Sequence, residues 1–271
     1  LSLFAYVATV FVVGAPWGTV AFNLVVPHVE WTAAYFTIVV AIFGTTISPY
    51  LFFWQASEEV EEVKKDPAAK PILKAPEQAP RQLQRIRLDT MVGMALSNVV
   101  ALFIVLTTAA TLHAHGVTNV ETSADAAKAL KPIAGEFAFA VFALGVVGTG
   151  LLAVPVLAGS AAYAVGETFG WRTGLDERVG RAPAFFWAIA GATFLGALIN
   201  VSPLDPIKAL IVSAVVNGVV AVPVMAMIMH MASRRRVMGE FALTSRLKAL
   251  GTIATAVMAA AAVGMFATWG A

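Results

Sequence analysis

The sequence predicts an all-α polytopic membrane protein of about seven spanning helices, one of them broken near its middle. Three observations predict this class. Charged residues make up 13% of the 271, against roughly 25% in a soluble domain, while apolar residues reach 59% and the mean hydropathy is +0.81. The charges are gathered into short stretches, which leaves long windows with none. One of those windows carries helix breakers where a continuous span is expected.

A bilayer core is crossed by roughly 20 apolar residues in helical form. Residues 1–29, 31–57, 90–120, 137–166, 184–204 and 249–271 contain no Asp, Glu, Lys or Arg, and 209–233 carries only His230. A buried soluble helix accounts for one such window but not for seven in succession. The first window begins at Leu1 rather than Met, without the polar start that a cleaved signal peptide leaves. That reads as a chain cut inside a larger membrane protein.

Lys and Arg set the orientation. The connection between the second and third windows holds Lys64, Lys65, Lys70, Lys74, Arg81, Arg85 and Arg87. The fourth-to-fifth holds Arg172, Arg178 and Arg181, and the sixth-to-seventh holds Arg234, Arg235, Arg236, Arg246 and Lys248. These are fifteen of the eighteen cations, in every second connection, so those connections are expected to be cytoplasmic and Ala271 outside. The triplet 234–236 has the chemistry to bind anionic headgroups, although a topology anchor accounts for it. The long 57–88 loop is expected to be a solvated, Pro-rich cytoplasmic linker, and Glu58 to Glu62 the wet end of a helix or a cation-gathering exit.

The broken span is the informative one. Gly44-Thr45-Thr46-Ile47-Ser48-Pro49-Tyr50 lies between apolar 33–43 and Leu51–Ala56. Pro49 lacks an N–H and collides with the carbonyl one turn back, and it pushes Ser48 out of helical geometry. Gly44 adds backbone freedom, and three hydroxyls stand ready to bond freed carbonyls. Unwound backbone at membrane depth lines a cavity or is buried in protein, and transporters use such breaks to hold ions. A simple proline kink is the alternative reading.

The same segment resembles the broken sixth helix of the Nramp family of divalent metal transporters, an Ala-x-x-Met-Pro-His motif followed by a second His. Thr45 lies over the Ala, Ser48 over the Met, Tyr50 over the first His and Gln55 over the second. The resemblance runs along the chain. Residues 1–27 with Trp17 and Pro27 look like the fifth helix, Asp89 and Asn98 like the opening of the seventh, and Phe142 to Gly150 like the glycine-rich eighth. Ser213 and Arg236-Val237-Met238-Gly239 look like the tenth helix and its exit.

The resemblance implies a single transmembrane domain of partial LeuT type, in the APC superfamily. Residues 1–27 would be the last helix of the first repeat, 33–233 the second five-helix repeat, and 247–269 an extra C-terminal helix. The family's first four helices would be absent, to be supplied by the rest of a full-length chain. It implies a secondary transporter of a divalent cation working by alternating access in a bacterial inner membrane. The metal would be cargo and no cofactor would be needed; the bilayer and the ion would be the partners.

The departures shape the site. Thr45 still offers its carbonyl, while Ser48 replaces a soft thioether by a hard hydroxyl, so Mn²⁺ or Mg²⁺ is expected over softer ions. Ser48 acting only as a helix cap is the alternative. Tyr50 and Gln55 do not titrate near neutrality as histidines do, and 184–201 has no Arg, so proton coupling through these positions is not expected. Asn217 stands where its amide could replace a family Gln that Ala214 lacks; an interhelical hydrogen bond is its alternative role. Gly44, Pro49, Tyr50, Gln55 and Asn217 form the expected substrate pathway. Gly145, Gly148, Gly150 and Ala153 read as packing residues.

No Walker motif, metal-spaced histidines or nucleophile–base constellation is present, so neither an ATP-driven pump nor an enzyme is expected. The basic residues form no stripe, which excludes a nucleic-acid partner. An amino-acid permease of the same architecture and a non-transporting membrane scaffold are the alternative readings.

Overall fold

A computed structural model describes residues 3–26, 28–117, 120, 122–199, 201–203 and 205–269. Its helices are α1 (Phe4–Val13), α2 (Trp17–Val25), α3 (Ala33–Thr46), α4 (Pro49–Lys65), α5 (Ala79–Thr111) and the short α6 (Ser123–Ala127) and α7 (Lys131–Ala134). Then come α8 (Ala138–Thr168), α9 (Pro183–Ile199), α10 (Pro206–Ala232), the short α11 (Arg235–Met238) and α12 (Ser245–Thr268). No strand occurs among the described residues. Leu1, Pro27 and Ala271, on which the expectations for the chain start, the first turn and the outer terminus rest, lie outside them.

Each of the seven apolar windows holds a helix. Ala33–Lys65, Pro76–His115, Ser123–Thr168, Pro206–Ala232 and Ser245–Thr268 are long and apolar enough to cross a membrane. The first window is not one straight helix: α1 and α2 meet at 118°. Gly14 takes a left-handed conformation (φ 71°) that ends α1, and Pro16, which cannot donate a helical hydrogen bond, precedes α2. The fifth window holds α9, apolar but 17 residues long, about 26 Å at 1.5 Å per residue.

The connection read as a loop over 57–88 is shorter. Helix α4 runs on to Lys65 and α5 starts at Ala79, leaving 66–78 outside α-helix. Asp66 precedes Pro67 and is extended (ψ 109°), as the residue before proline tends to be. The Gln78 side chain closes this linker, donating to Ala68 O (2.9 Å) and accepting from Lys70 N (3.0 Å).

The chain divides into two compact units, Leu1–His28 with Pro80–Val154 and Val29–Ala79 with Pro155–Ala271, so the boundary cuts α8 at Pro155. In the first unit, Tyr6, Leu130 and Ala138 form a buried cluster flanked by Ile104 and Phe142. The buried Thr107 hydroxyl donates to Tyr6 O (2.8 Å), tying α5 to α1. Phe11, Trp17 and Phe103 pack in tilted and edge-on contacts around the α1–α2 bend with centroids 5.4–6.5 Å apart. Gly145, Gly150 and Ala153 border an apolar cavity of about 370 Å³ with Leu3, Tyr6 and Ile104. A Cβ placed on Gly148 or Gly150 meets nothing within 4 Å, so neither glycine is a packing residue here.

In the second unit, α3, α10 and α12 pack around Phe36, Val40, Ala261 and Met265. Caps fix where two of them begin: Thr32 Oγ1 accepts from Tyr35 N (3.2 Å) at α3, and Asp205 accepts from Ile207 N (2.9 Å) at α10, with Pro206 in the first turn. Both satisfy otherwise orphaned amides. A second cluster, Ala162, Tyr163, Ala182 and Phe185, joins α8 to α9, with Trp54 of α4 against it.

Candidate functional site

The break between α3 and α4 spans two residues, Ile47 (φ −120°, ψ 72°) and Ser48 (φ −88°, ψ 126°). Pro49 is the first residue of α4, a position where its missing N–H costs nothing. The same missing N–H leaves the Thr45 carbonyl without its helical donor.

Hydroxyls take up the slack. Ser48 Oγ is 2.7 Å from Gly44 O and 3.3 Å from Thr45 O, and Ser48 is 2% exposed. Thr45 Oγ1 donates to Ile42 O (2.8 Å), and Thr46 Oγ1 reaches Ile42 O (3.0 Å) and Phe43 O (3.2 Å). Ser48 occupies the N-cap position of α4 but its side chain makes no cap bond there; it reaches back to the end of α3 instead. The capping role is therefore not the one Ser48 plays.

This geometry brings the Thr45 carbonyl and the Ser48 hydroxyl, the two expected ligand oxygens, 3.3 Å apart. A helix C-terminus carries partial negative charge, so the end of α3 favours a cation at the break.

Gly44 is buried and helical, and its value is space rather than backbone freedom. A Cβ there would stand 2.0 Å from Ala214 O and 2.4 Å from Gly218 N on α10. A Cβ on Gly218 would stand 2.4 Å from Val40 O. The two backbones touch, as small residues allow in membrane helix pairs, and the break is thereby held against α10. Sequence reasoning missed Gly218; the Ala214-x-x-x-Gly218 spacing was the available signal.

The other expected residues are less gathered. Asn217, next to Gly218, is half-buried, and its side chain bonds no described residue. Tyr50 is half-buried on the first turn of α4, and Gln55 is exposed further along the same helix. Ser213 donates to Leu210 O (2.9 Å) and Asn98 to Met94 O (2.8 Å), so both serve their own helices. His115 Nδ1 lies 2.7 Å from Thr111 O in an exposed turn with His113. Among the described residues no three His, Cys, Asp or Glu side chains converge on a metal site.

Another cluster escaped the sequence reading. Glu61, inside the acidic run, is 8% exposed. Its carboxylate accepts from the Tyr163 hydroxyl and from Leu175 N (3.1 Å). One turn earlier Ser57 donates to Glu167 (3.2 Å), and one turn later Lys65 pairs with Asp176 (2.5 Å). Residues 57, 61 and 65 share one face of α4, which is stitched to the end of α8 and the turn after it.

A helical membrane protein with a span broken at mid-course, hydroxyls on the freed carbonyls and a cation-favouring helix end has the features that transporters use to hold ions. Residues 1–268 match the family model described as Natural resistance-associated macrophage protein-like (Nramp). The chain belongs to this family, and membership implies divalent metal transport by an integral membrane protein. No curated protein matches the chain.

Proposed function

We propose that this protein carries a hard divalent cation, Mn²⁺ or Mg²⁺, by alternating access around the break, with the Thr45 carbonyl and the Ser48 hydroxyl as ligands. The observation that supports this most is the 3.3 Å pairing of those two oxygens at the C-terminus of α3. Neighbouring ligands of an octahedral ion lie about 1.4 bond lengths apart, or ~2.9 Å at Mg²⁺ distances and ~3.4 Å at Ca²⁺ distances. The pair needs little adjustment to hold an ion of that range. Both donors are hard oxygens, which suit Mg and Mn over softer metals. The Ser48 proton stays on Gly44 O while its lone pairs face the ion.

The pathway runs past Gly44, Pro49, Tyr50, Gln55 and Asn217. Tyr50→Phe is expected to leave any pH-gradient-driven uptake intact. The protein sits in a bacterial inner membrane with 66–78 on the cytoplasmic side and the chain's far end outside, in line with the basic connections. The metal passes through as cargo and no resident cofactor is needed.

Calorimetry on the purified protein tests the reading. Mn²⁺ is expected to bind more tightly than Cd²⁺, and amino acids are expected not to compete. Ser48→Ala should weaken Mn²⁺ by about tenfold, roughly 1.4 kcal/mol. Ser48→Cys, in a chain with no other cysteine, should shift preference toward Cd²⁺. Tighter Cd²⁺ binding by the unsubstituted protein overturns the proposal.

A further inference from the structure

The second unit gathers unpaired positive charge at one end. Arg234, Arg235 and Arg236 follow α10, and Arg246 and Lys248 lie in the first turns of α12. All five are exposed. Leu243 N donates to Ala232 O (3.0 Å), which holds the connection against the end of α10. Gly239 packs on Leu73, so the 66–78 linker and its exposed Lys74 reach the same end. Between Ser233 and Lys248 the sequence offers one acid, Glu240.

None of these six cations has a side-chain hydrogen bond or ion pair with any described residue. The contrast with Lys65, Lys128 and Arg172 is direct, since each of those has a carboxylate within 2.5–2.8 Å. Two helices long and apolar enough to cross a membrane, α10 and α12, end and begin here. A membrane crossed by both helices would have these cations at headgroup depth.

We propose that this end of the α10–α12 pair is a binding surface for anionic phospholipid headgroups. Its ligand is a phosphodiester with net negative charge in the leaflet beside it. Arginine forks pair with phosphate oxygens in bidentate fashion, and three consecutive arginines at the exit of a spanning helix offer several such forks. A basic cluster beside a spanning helix is the pattern that recognises acidic lipid. A topology anchor needs the charge only during insertion; a lipid surface keeps using it in the folded protein. The proposal needs the membrane assignment and not the metal reading, and its test contains no metal.

The full 271-residue chain in a neutral detergent is titrated with dioctanoyl phosphatidylglycerol or dioctanoyl phosphatidylcholine, and thermal unfolding is followed by tryptophan fluorescence. Phosphatidylglycerol is expected to raise Tm in a saturable way and phosphatidylcholine not to. About fivefold in affinity per cation predicts a loss of about a hundredfold in the Arg234→Gln/Arg235→Gln/Arg236→Gln protein. Arg246→Gln/Lys248→Gln, on another helix, should lose about as much per charge and guards against a folding defect in the first variant. Replacing the three arginines by lysine should keep most of the affinity, and 0.5 M salt should remove it by screening. Equal response to both lipids, an undiminished response in both neutral variants, or the same stabilisation by inorganic phosphate alone overturns the proposal.

Discussion

Gly44→Ala is expected to destroy the α3–α10 crossing and transport with it. The added Cβ lands 2.0 Å from Ala214 O and 2.4 Å from Gly218 N, where an ordinary C···O contact is about 3.3 Å. These neighbours are backbone atoms of a packed helix, so no rotamer change can yield the missing ångström. The helices must separate, and overpacking of this kind costs about 3 kcal/mol or more. Separation also takes Thr45 and Ser48 out of register with α10. Gly218→Ala should fail equally, its Cβ falling 2.4 Å from Val40 O. Because both changes strain one crossing, the double variant should cost less than the sum of the singles.

The control is internal. Gly148→Ala and Gly150→Ala put the same methyl into open space and should be neutral or stabilising, within about 1 kcal/mol. Denaturant unfolding in detergent, read beside Mn²⁺ uptake in vesicles, separates the two classes. A Gly44→Ala protein as stable and active as the unsubstituted chain would mean that α3 and α10 do not cross there.

What the sequence showed and what it hid follow from the range of the interactions. Spanning helices are local: a charge-free window is its own evidence, and each of the seven windows holds a helix, although only five of those helices, or six with the bent α1–α2 pair, are long and apolar enough to cross a membrane. The break at 47–48 was equally local, since Pro49 acts on its own neighbours. The 118° bend at Gly14-Ala15-Pro16 obeys the same chemistry, but hydropathy does not register direction. The meeting of Gly44 with Gly218 joins residues far apart in one chain, and small-residue spacing names a surface without naming its partner. Glu61 was hidden for a similar reason. Inside a run of acids a carboxylate reads as solvated, and the tyrosine that buries it lies 102 positions away. Conversely Gly145, Gly148 and Gly150 advertised tight packing that the fold does not use at 148 and 150.

That buried carboxylate carries the second large effect. Glu61→Ala removes the acceptor shared by the Tyr163 hydroxyl and Leu175 N. Each donor left without a partner costs about 1–3 kcal/mol, and the two remain within reach of one another at 3.2 Å, which recovers part of the loss. A net destabilisation of about 3 kcal/mol follows. Glu61→Gln keeps a carbonyl oxygen in place and should cost about half as much. Tyr163→Phe removes one donor together with its hydroxyl oxygen and should fall between them. Lys65→Ala breaks an ion pair whose partners are 54% and 56% exposed; such pairs contribute at most about 1 kcal/mol, so little should change.

The readout is local as well as global. Arg172, Arg178 and Arg181 lie in the stretch that follows α8, close to the stitched turn at Leu175 and Asp176. Limited trypsin digestion should cut there faster in Glu61→Ala than in the unsubstituted protein, and at an unchanged rate in Lys65→Ala. Equal resistance in all three proteins would place the strength of this seam in the apolar cluster of Tyr163, Ala182 and Phe185 rather than in the carboxylate. Faster cutting in Glu61→Ala with an intact α3–α10 core would mean that α4 is clamped by a single buried acid, independently of the helix pair that holds the break.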